Sequence, residues 1–463
     1  MPASRTNVAL KNEWLRGEVA VLGLARSGRA VAALLARSGA RVYASDAGSS
    51  VTLDATAAQL RTQGIDVDIG RHDESRIASA ALTVVSPGVP PDAPAIASAE
   101  RAGVPVVSEI EIALRFLSGA RYIAITGTNG KTTTTALAGH LLRALGARSV
   151  AAGNIGTPLS EVAAASDHPA WIALEVSSYQ LHFTPGLRPA VGVLTNLSPN
   201  HLDRYRSVEE YYADKRLLFR NATPASTWVT NEDDPEVQRL AAGVPGAHAR
   251  FSTRTRSDAF MDPGTEELVV LGRPLLPRAE FPLLGDHNVA NALAASLAVM
   301  TADPSHQSDE AGARIAHALR GFRALEHRIE AVAEIGGVLW INDSKSTNVA
   351  STKVALRGMS RPTILLLGGK HKGEPYTALA PELARIVKRV IAYGEAAATI
   401  ARDLDGIVPV EEGGTNFDRV VDRAAKRAAA GDVVLLSPAC SSFDMFDNYE
   451  NRGNEFKRLV GRL

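Results

Sequence analysis

One cysteine, Cys440, is all that 463 residues contain, so no intramolecular disulfide is available to the chain. Neither sign of charge is in excess. Lys plus Arg and Asp plus Glu are both 50, which gives a formal net charge of zero and no basic surplus to grip a nucleic-acid backbone; no nucleic-acid partner is expected. Long apolar runs are missing too: the longest weakly polar stretch, Val289 to Ala302, is short for a bilayer and rich in alanine, so it reads as a buried helix and no membrane span is expected. The opening MPASRTNVALKNEWLRGEV has no apolar core or small-residue cleavage site of a secretory signal. A cytoplasmic location is expected. The length exceeds what one core supports, and three domains are expected.

What the chain does have is GTNGKTTTT, Gly127 to Thr135, preceded by apolar RYIAIT and followed by Leu137, Leu141 and Leu145, with Ala138 and Leu142 widening the stripe. Strand, loop and amphipathic helix in that order present backbone N–H groups and a helix N-terminus to an anion. Gly127, Thr128, Asn129, Gly130, Lys131, Thr132 and Thr133 are the candidate nucleotide-phosphate-binding residues. Lys131 brings a point charge to the outer phosphates, and Thr132 stands where such loops place a Mg²⁺-coordinating hydroxyl. One departure is plain: Ile125 occupies the position where the general GxxxxGK[ST] pattern has glycine. The ordinary alternative, a glycine-rich turn, is disfavoured by the flanking strand and helix and the Lys-Thr pair.

Before this loop, the pattern from Glu18 is a strand (VAVLG), a helix from Ala30 to Arg37, a strand (RVYASD), a polar helix, and short strands at IDVDIG, LTVVSPG and VPVVS. Alternation of this kind implies a parallel, Rossmann-like sheet. Its first turn, Gly23 to Gly28, has Ala25 where a dinucleotide fold has its middle glycine, so a pyrophosphate is obstructed there. A uridine nucleotide held by Ser27, Asp46 and the Ser86-Pro87-Gly88 turn stays open, as does a scaffold role.

Beyond the loop, Asn154 lies in a Gly-Asn-Ile-Gly turn, and the strand from Trp171 delivers Glu175 at its C-terminal end, where α/β folds place ligands. VGVLTNLSPNHLDRY brings Asn196, His201 and Asp203 into one loop. Glu175 and His201 are candidate Mg²⁺ ligands. Lys215, in SVEEYYADKRLLF, reads as a solvated helical lysine. Asn288 and Asn291 share one helical face suited to a purine or phosphate, although Asn288 also suits a helix cap.

A third α/β run begins near FRALEHRIE, with strands at VLWIND, TILLLGG, RVIAYG and DVVLLSP and a helix from Phe417 to Ala430. Three polar loops fall at strand ends: one from Asp343 through Lys345 and Thr347, one around Lys370 and Lys372, and one from Ser437 to Ser442. Together they would make a site for an anionic amino acid. Cys440 reads as a packed thiol.

GTNGKTTTT, ALEVSSYQL, TNLSPNHLDRY, HNVANALAA, EHRIE, NDSKSTNVAST and SPACSSFDMFDNYENRGNEF together resemble the Mur ligases of peptidoglycan synthesis over nearly the whole chain. The resemblance implies three α/β domains: a Rossmann-like UDP-sugar domain at 1–109, a P-loop-type ATPase domain at 110–324 and a Rossmann-like amino-acid domain at 325–463. It also implies the activity. A D-glutamate-adding ligase of this family phosphorylates the carboxylate of UDP-N-acetylmuramoyl-L-alanine with ATP, and the glutamate amine attacks the acyl phosphate. Carried over by motif, Lys131, His201 and Lys215 would be catalytic, with Lys215 carbamylated, and Thr132, Glu175, His201 and Lys215 would hold two Mg²⁺ ions. Asn288, Asn291, Arg328 and Asp343 would contact ATP, and Asn154 the UDP-sugar. Lys372, Thr347, Ser442 and Phe443 would grip glutamate, with Lys345 and Tyr449 nearby. A monomer is expected. Ala25 and Ala47 depart from the family's uridine site and leave its individual contacts open.

Other readings compete. A ligase of the same family adding L-alanine, a diamino acid or a dipeptide, or a folylpolyglutamate synthase, is disfavoured by the Ser442-Phe443 loop. A nicotinamide-dependent oxidoreductase is disfavoured by Ala25. A non-catalytic nucleotide-binding scaffold would release no ADP.

Overall fold

A computed structural model describes residues 17–154, 156–200, 204–323 and 326–463. They form two compact units: residues up to 278 with 290–320, and 279–289 with 321–463. Three sheets carry the architecture, two in the first unit and one in the second.

The first sheet has the order β3-β2-β1-β4-β5, from β1 (Glu18–Leu22), β2 (Arg41–Asp46), β3 (Asp66–Ile69), β4 (Leu82–Val85) and β5 (Val106–Ser108). All its pairings are parallel. Val19, Val21, Leu82 and Val84 are fully buried, as expected when helices cover both faces. Because β2 and β4 flank β1 on opposite sides, the strand order reverses at β1 and a crevice opens beyond its C-terminal end. The helix after it starts at Arg26, earlier than the expected Ala30. Its first turn is polar, so the apolar periodicity of Val31, Leu34 and Leu35 hides where the helix begins.

The second sheet has the order β14-β13-β12-β11-β10-β9-β6-β8-β7. Its strands are β6 (Arg121–Thr126), β7 (Ser149–Gly153), β8 (Trp171–Glu175), β9 (Val191–Leu194), β10 (Thr227–Asn231), β11 (Ala247–Ser252), β12 (Ala259–Met261), β13 (Glu267–Val270) and β14 (Arg273–Pro277). It is parallel as far as β12, and β12-β13-β14 is an antiparallel meander. Sequence reading did not register the strands from β10 onward. The β13–β14 turn is Leu271-Gly272 with φ of 51° and 74°, the positive values that a two-residue hairpin needs to match the strand twist.

The third sheet, β15-β16-β20-β17-β18-β19, consists of β15 (Glu330–Ile335), β16 (Val338–Asn342), β17 (Thr363–Gly368), β18 (Val387–Tyr393), β19 (Val410–Gly414) and β20 (Val433–Leu436). Only β15 is antiparallel. The helix from Phe417 ends at Arg427 and not at Ala430, because Ala429 N–H donates to the Asp432 carboxylate at 2.9 Å and draws the alanines into a turn. The Asp286–Ala302 helix contains the expected buried stretch, with Leu293, Leu297, Val299 and Met300 inaccessible. Among the described residues, no helix is long and apolar enough to cross a membrane.

Candidate active site

In the second sheet β9, β6 and β8 lie side by side and parallel, with Thr126 opposite Leu194 and Ile125 opposite Glu175. The ends of all three strands therefore meet at one edge. From β6 the chain enters the phosphate loop, which needs glycine twice. Gly127 has φ 143° and a Cβ there would lie 2.1 Å from Thr195 Oγ1; Gly130 has φ 80° and a Cβ would lie 2.3 Å from Asn291 Oδ1. Gly130 caps the Lys131–Ala144 helix, so the loop runs directly into that helix's N-terminus.

Three side chains with no role in the sequence reading hold the loop. Asn196 Oδ1 accepts from Asn129 N–H at 2.8 Å while its Nδ2 donates to the Asn129 carbonyl at 3.0 Å. Thr195 Oγ1 donates to that carbonyl at 2.7 Å, and Tyr211 Oη lies 3.2 Å from Thr128 Oγ1. Lys131 Nζ donates to the carbonyls of Gly127 and Thr128 at 3.0 and 2.8 Å, folding its charge over the loop. Thr132 and Thr133 are buried at the start of the helix.

Glu175 ends β8 buried, with Oε1 accepting from Asn154 Nδ2 at 3.2 Å and Oε2 without a partner among the described residues. Lys215 overturns its reading as a solvated residue: it is 1% exposed, and its Nζ donates to Thr126 Oγ1 at 3.0 Å. Burial holds this ammonium well below the usual lysine range; the Lys131 cation lowers it further, while Glu175 and Asp214 pull the other way. Its helix, Val208–Arg216, is anchored through Asp214, which meets His182 Nδ1 and Tyr205 Oη, each at 2.8 Å. His201 and Asp203 lie outside the described residues. Among those described, no three His, Cys, Asp or Glu side chains gather into a ready metal centre.

At the end of β1 the turn is packed too tightly for side chains at its glycines. A Cβ on Gly28 would fall 1.8 Å from the Gly23 carbonyl. Asp46 accepts Leu24 N–H at 2.7 Å and Gly48 N–H at 2.8 Å, and Ser86 Oγ donates to the Gly23 carbonyl at 2.8 Å. Asp46, Ser86 and the turn containing Ser27 are thus brought together. The Gly88 carbonyl lies 3.5 Å from Arg204 Nη1.

On the Asp286–Ala302 helix, Asn291 Oδ1 accepts from Thr134 Oγ1 at 3.2 Å, on the helix that follows the phosphate loop. Asn288 is not the cap, since the helix begins at Asp286; its Nδ2 donates to the Leu284 carbonyl at 2.8 Å.

Within the second unit, the expected loops follow β16, β17 and β20, which are neighbours, so all three open at one edge. Lys370 N–H donates to the Ser441 carbonyl at 2.9 Å. A residue that sequence reading missed fastens them. Arg452 is fully buried; it donates to Ser344 Oγ at 3.0 Å and to the carbonyls of Ser344 at 2.9 Å, Cys440 at 3.1 Å, Ser441 at 3.3 Å and Gly368 at 3.5 Å. One guanidinium fork spans all three loops. The available signal was an arginine in helical register with Phe456, Leu459 and Val460.

Asp343 is buried, and burial pushes its carboxyl up to about 6 against hydrogen bonds from Ser346 and Ser437 and the nearby charge of Arg328. Lys345 Nζ sits 5.4 Å from the centre of the Tyr449 ring. Ser442 is buried, Thr347 half-buried and Lys372 exposed, while Phe443 is 70% exposed. Cys440 is packed as expected, its Sγ 2.9 Å from Tyr376 Oη, and burial pushes the thiol up to about 11.

Three family models match in succession: the N-terminal domain of MurD-like Mur ligases at 17–108, the Mur ligase middle domain at 125–299 and the Mur ligase glutamate ligase domain at 327–440. The chain is 43% identical to a UDP-N-acetylmuramoylalanine–D-glutamate ligase of Acidobacterium capsulatum, over 96% of each chain. It is 41% identical to one of Myxococcus xanthus, over 96% of this chain and 98% of that one. Among solved structures, the UDP-N-acetylmuramate-alanine ligase MurC of Thermotoga maritima superposes with a TM-score of 0.61 at 19% identity, covering 96% of this chain and 99% of that one. MurF of Acinetobacter baumannii gives 0.59 at 16% identity, covering 92% of each. These two show the shared three-domain α/β fold. With relatives this similar over nearly its whole length, the chain belongs to the Mur ligase family and is an ATP-dependent ligase.

Proposed function

We propose that the chain adds D-glutamate to UDP-N-acetylmuramoyl-L-alanine. The γ-phosphoryl group of ATP passes to the substrate carboxylate, releasing ADP, and the glutamate amine displaces phosphate and loses a proton to form the amide. A carboxylate oxygen is a poor leaving group, and phosphorylation corrects that. The observation that best supports this reading is the burial of Glu175 and Lys215 at the sheet edge from which the phosphate loop springs.

In this reading Lys131 and the N–H groups where the loop enters its helix stabilise charge on the transferring phosphoryl group. Thr132 and Glu175 would hold one Mg²⁺, and His201 and Lys215 a second; the ions would neutralise phosphate charge. Glu175 suits this role, having a buried oxygen without a partner among the described residues. Lys215 suits it once carbamylated. Burial favours its neutral amine, which can add to carbon dioxide and, on losing a proton, becomes an anion with two oxygens.

Ser27, Asp46, Ser86, Gly88 and Asn154 bind the UDP-sugar; Asn288, Asn291, Arg328 and Asp343 contact ATP. Lys345, Thr347, Lys372, Ser442, Phe443 and Tyr449 receive glutamate. These roles divide among 1–109, 110–324 and 325–463, in a monomer acting in the cytoplasm. The test is ADP release with UDP-N-acetylmuramoyl-L-alanine and a panel of amino acids. D-glutamate is expected to give the highest kcat/KM; a preference for L-glutamate or a diamino acid would overturn the substrate assignment and leave the ligase chemistry standing.

A further inference from the structure

We propose that Arg26 is a positioning residue that sets the span between the two ends of the UDP-sugar site, an inference that rests on the site assignment above. Arg26 opens the helix immediately after the β1 turn. Its Nε and Nη2 fork onto the Glu161 carboxylate at 2.9 and 2.8 Å, and its Nη1 donates to the Gly156 carbonyl at 2.7 Å. All three nitrogens of the guanidinium are engaged. Glu161 belongs to the Leu159–Ala163 helix, and Gly156 to the loop that follows β7.

That loop is built onto Glu175. Asn154 N–H donates to the Glu175 carbonyl at 2.9 Å, and Asn154 Nδ2 to Glu175 Oε1 at 3.2 Å. Gly153, with φ 113°, has no room for a side chain: a Cβ would lie 2.3 Å from the same carbonyl. Arg26 thereby joins the turn that Asp46 holds through Leu24 to the segment that orients Glu175. A substrate with its uridine in that turn and its carboxylate at the phosphoryl-transfer edge must match the distance between them. Positional error at a reacting carboxylate is costly, because transfer needs a near-attack geometry.

The Arg26 and Glu161 side chains are 54% and 35% exposed, so the pair contributes little to stability. Its value lies in fixed geometry, since a forked arginine–carboxylate pair holds direction as well as distance. The two roles are therefore separable. A structural role would move the melting temperature, whereas a positioning role moves the kinetics of one substrate.

The experiment compares wild type with Arg26→Ala, Arg26→Lys, Glu161→Gln and the Arg26→Ala/Glu161→Gln double variant. It measures Tm, kcat, the KM of each of the three substrates, and inhibition by UDP alone. For Arg26→Ala, kcat/KM for UDP-N-acetylmuramoyl-L-alanine should fall about ten-fold, with KM for ATP and glutamate within about two-fold of wild type. Tm and inhibition by UDP, which occupies one end only, should be unchanged. Arg26→Lys should recover part of the loss, and the double variant should be no worse than Arg26→Ala. Unchanged kinetics in Arg26→Ala would overturn the proposal. So would weakening of UDP inhibition equal to the loss in kcat/KM, which would make Arg26 a uridine contact. A wild-type enzyme that does not turn over the muramoyl substrate would overturn the site assignment, and the positioning role with it.

Discussion

Lys215 Nζ donates to Thr126 Oγ1 at 3.0 Å, so a lysine in a charged helical segment is tied, fully buried, to the last residue of the strand that feeds the phosphate loop. No carboxylate is paired with it among the ion pairs of the described residues. A buried ammonium is costly, and the carbamate proposed above would replace it with an anion.

Lys215→Ala is accordingly expected to be nearly inactive, and formate or acetate should restore part of the activity by supplying the missing oxygens. Steady-state ADP release with and without added carboxylate checks this. Full activity in the variant would remove Lys215 from the mechanism.

For the phosphate loop, Lys131→Ala should lower kcat by about two powers of ten or more with Tm little changed, because the ammonium lies over the loop, bonded to the carbonyls of Gly127 and Thr128, and its charge matters most during transfer. Near-normal turnover in a folded variant would contradict the loop's role.

Amino-acid choice should respond to the second unit's loops. Losing one charge-assisted hydrogen bond to a glutamate carboxylate costs about 1.5–3 kcal/mol, roughly ten- to a hundred-fold in affinity. Lys372→Ala and Ser442→Ala should raise the KM for glutamate by this factor and leave the KM for ATP nearly unchanged. An equal rise in both would show that these loops are not a dedicated amino-acid site.

A pH effect on stability is expected at Glu109, which is buried with Oε2 unpartnered among the described residues and Oε1 accepting from Ser160 N–H. Burial pushes its carboxyl up to about 7, against the Ser160 N–H hydrogen bond. The folded state therefore holds a proton that the unfolded chain, with a carboxyl near 4.3, has released. Its stabilisation is full below that lower value and is lost as pH rises to about 7, a change on the order of 3 kcal/mol. Tm measured from pH 4.5 to 8 should fall more steeply for wild type than for Glu109→Gln. Parallel curves would rule this out.

Contiguity decided how much could be read in advance. The strand-loop-helix around Lys131, the carboxylate ending β8 and the polar loops after β16, β17 and β20 are each written in one short stretch, with periodicity marking the element on either side. Sequence by itself therefore determined the α/β class and the family.

Only the tertiary structure decided the burial of Lys215, the anchoring of the phosphate loop by Asn196, the joining of three loops by Arg452 and the link from Arg26 to Glu161. Each depends on residues far apart in the chain. A polar side chain on a helix looks solvated until the packing of other elements removes its water, and a hydrogen bond between distant residues leaves no local period to detect. Whether Lys215 is an exposed charge or a buried one was thus settled by what packs around it, not by its neighbours in sequence.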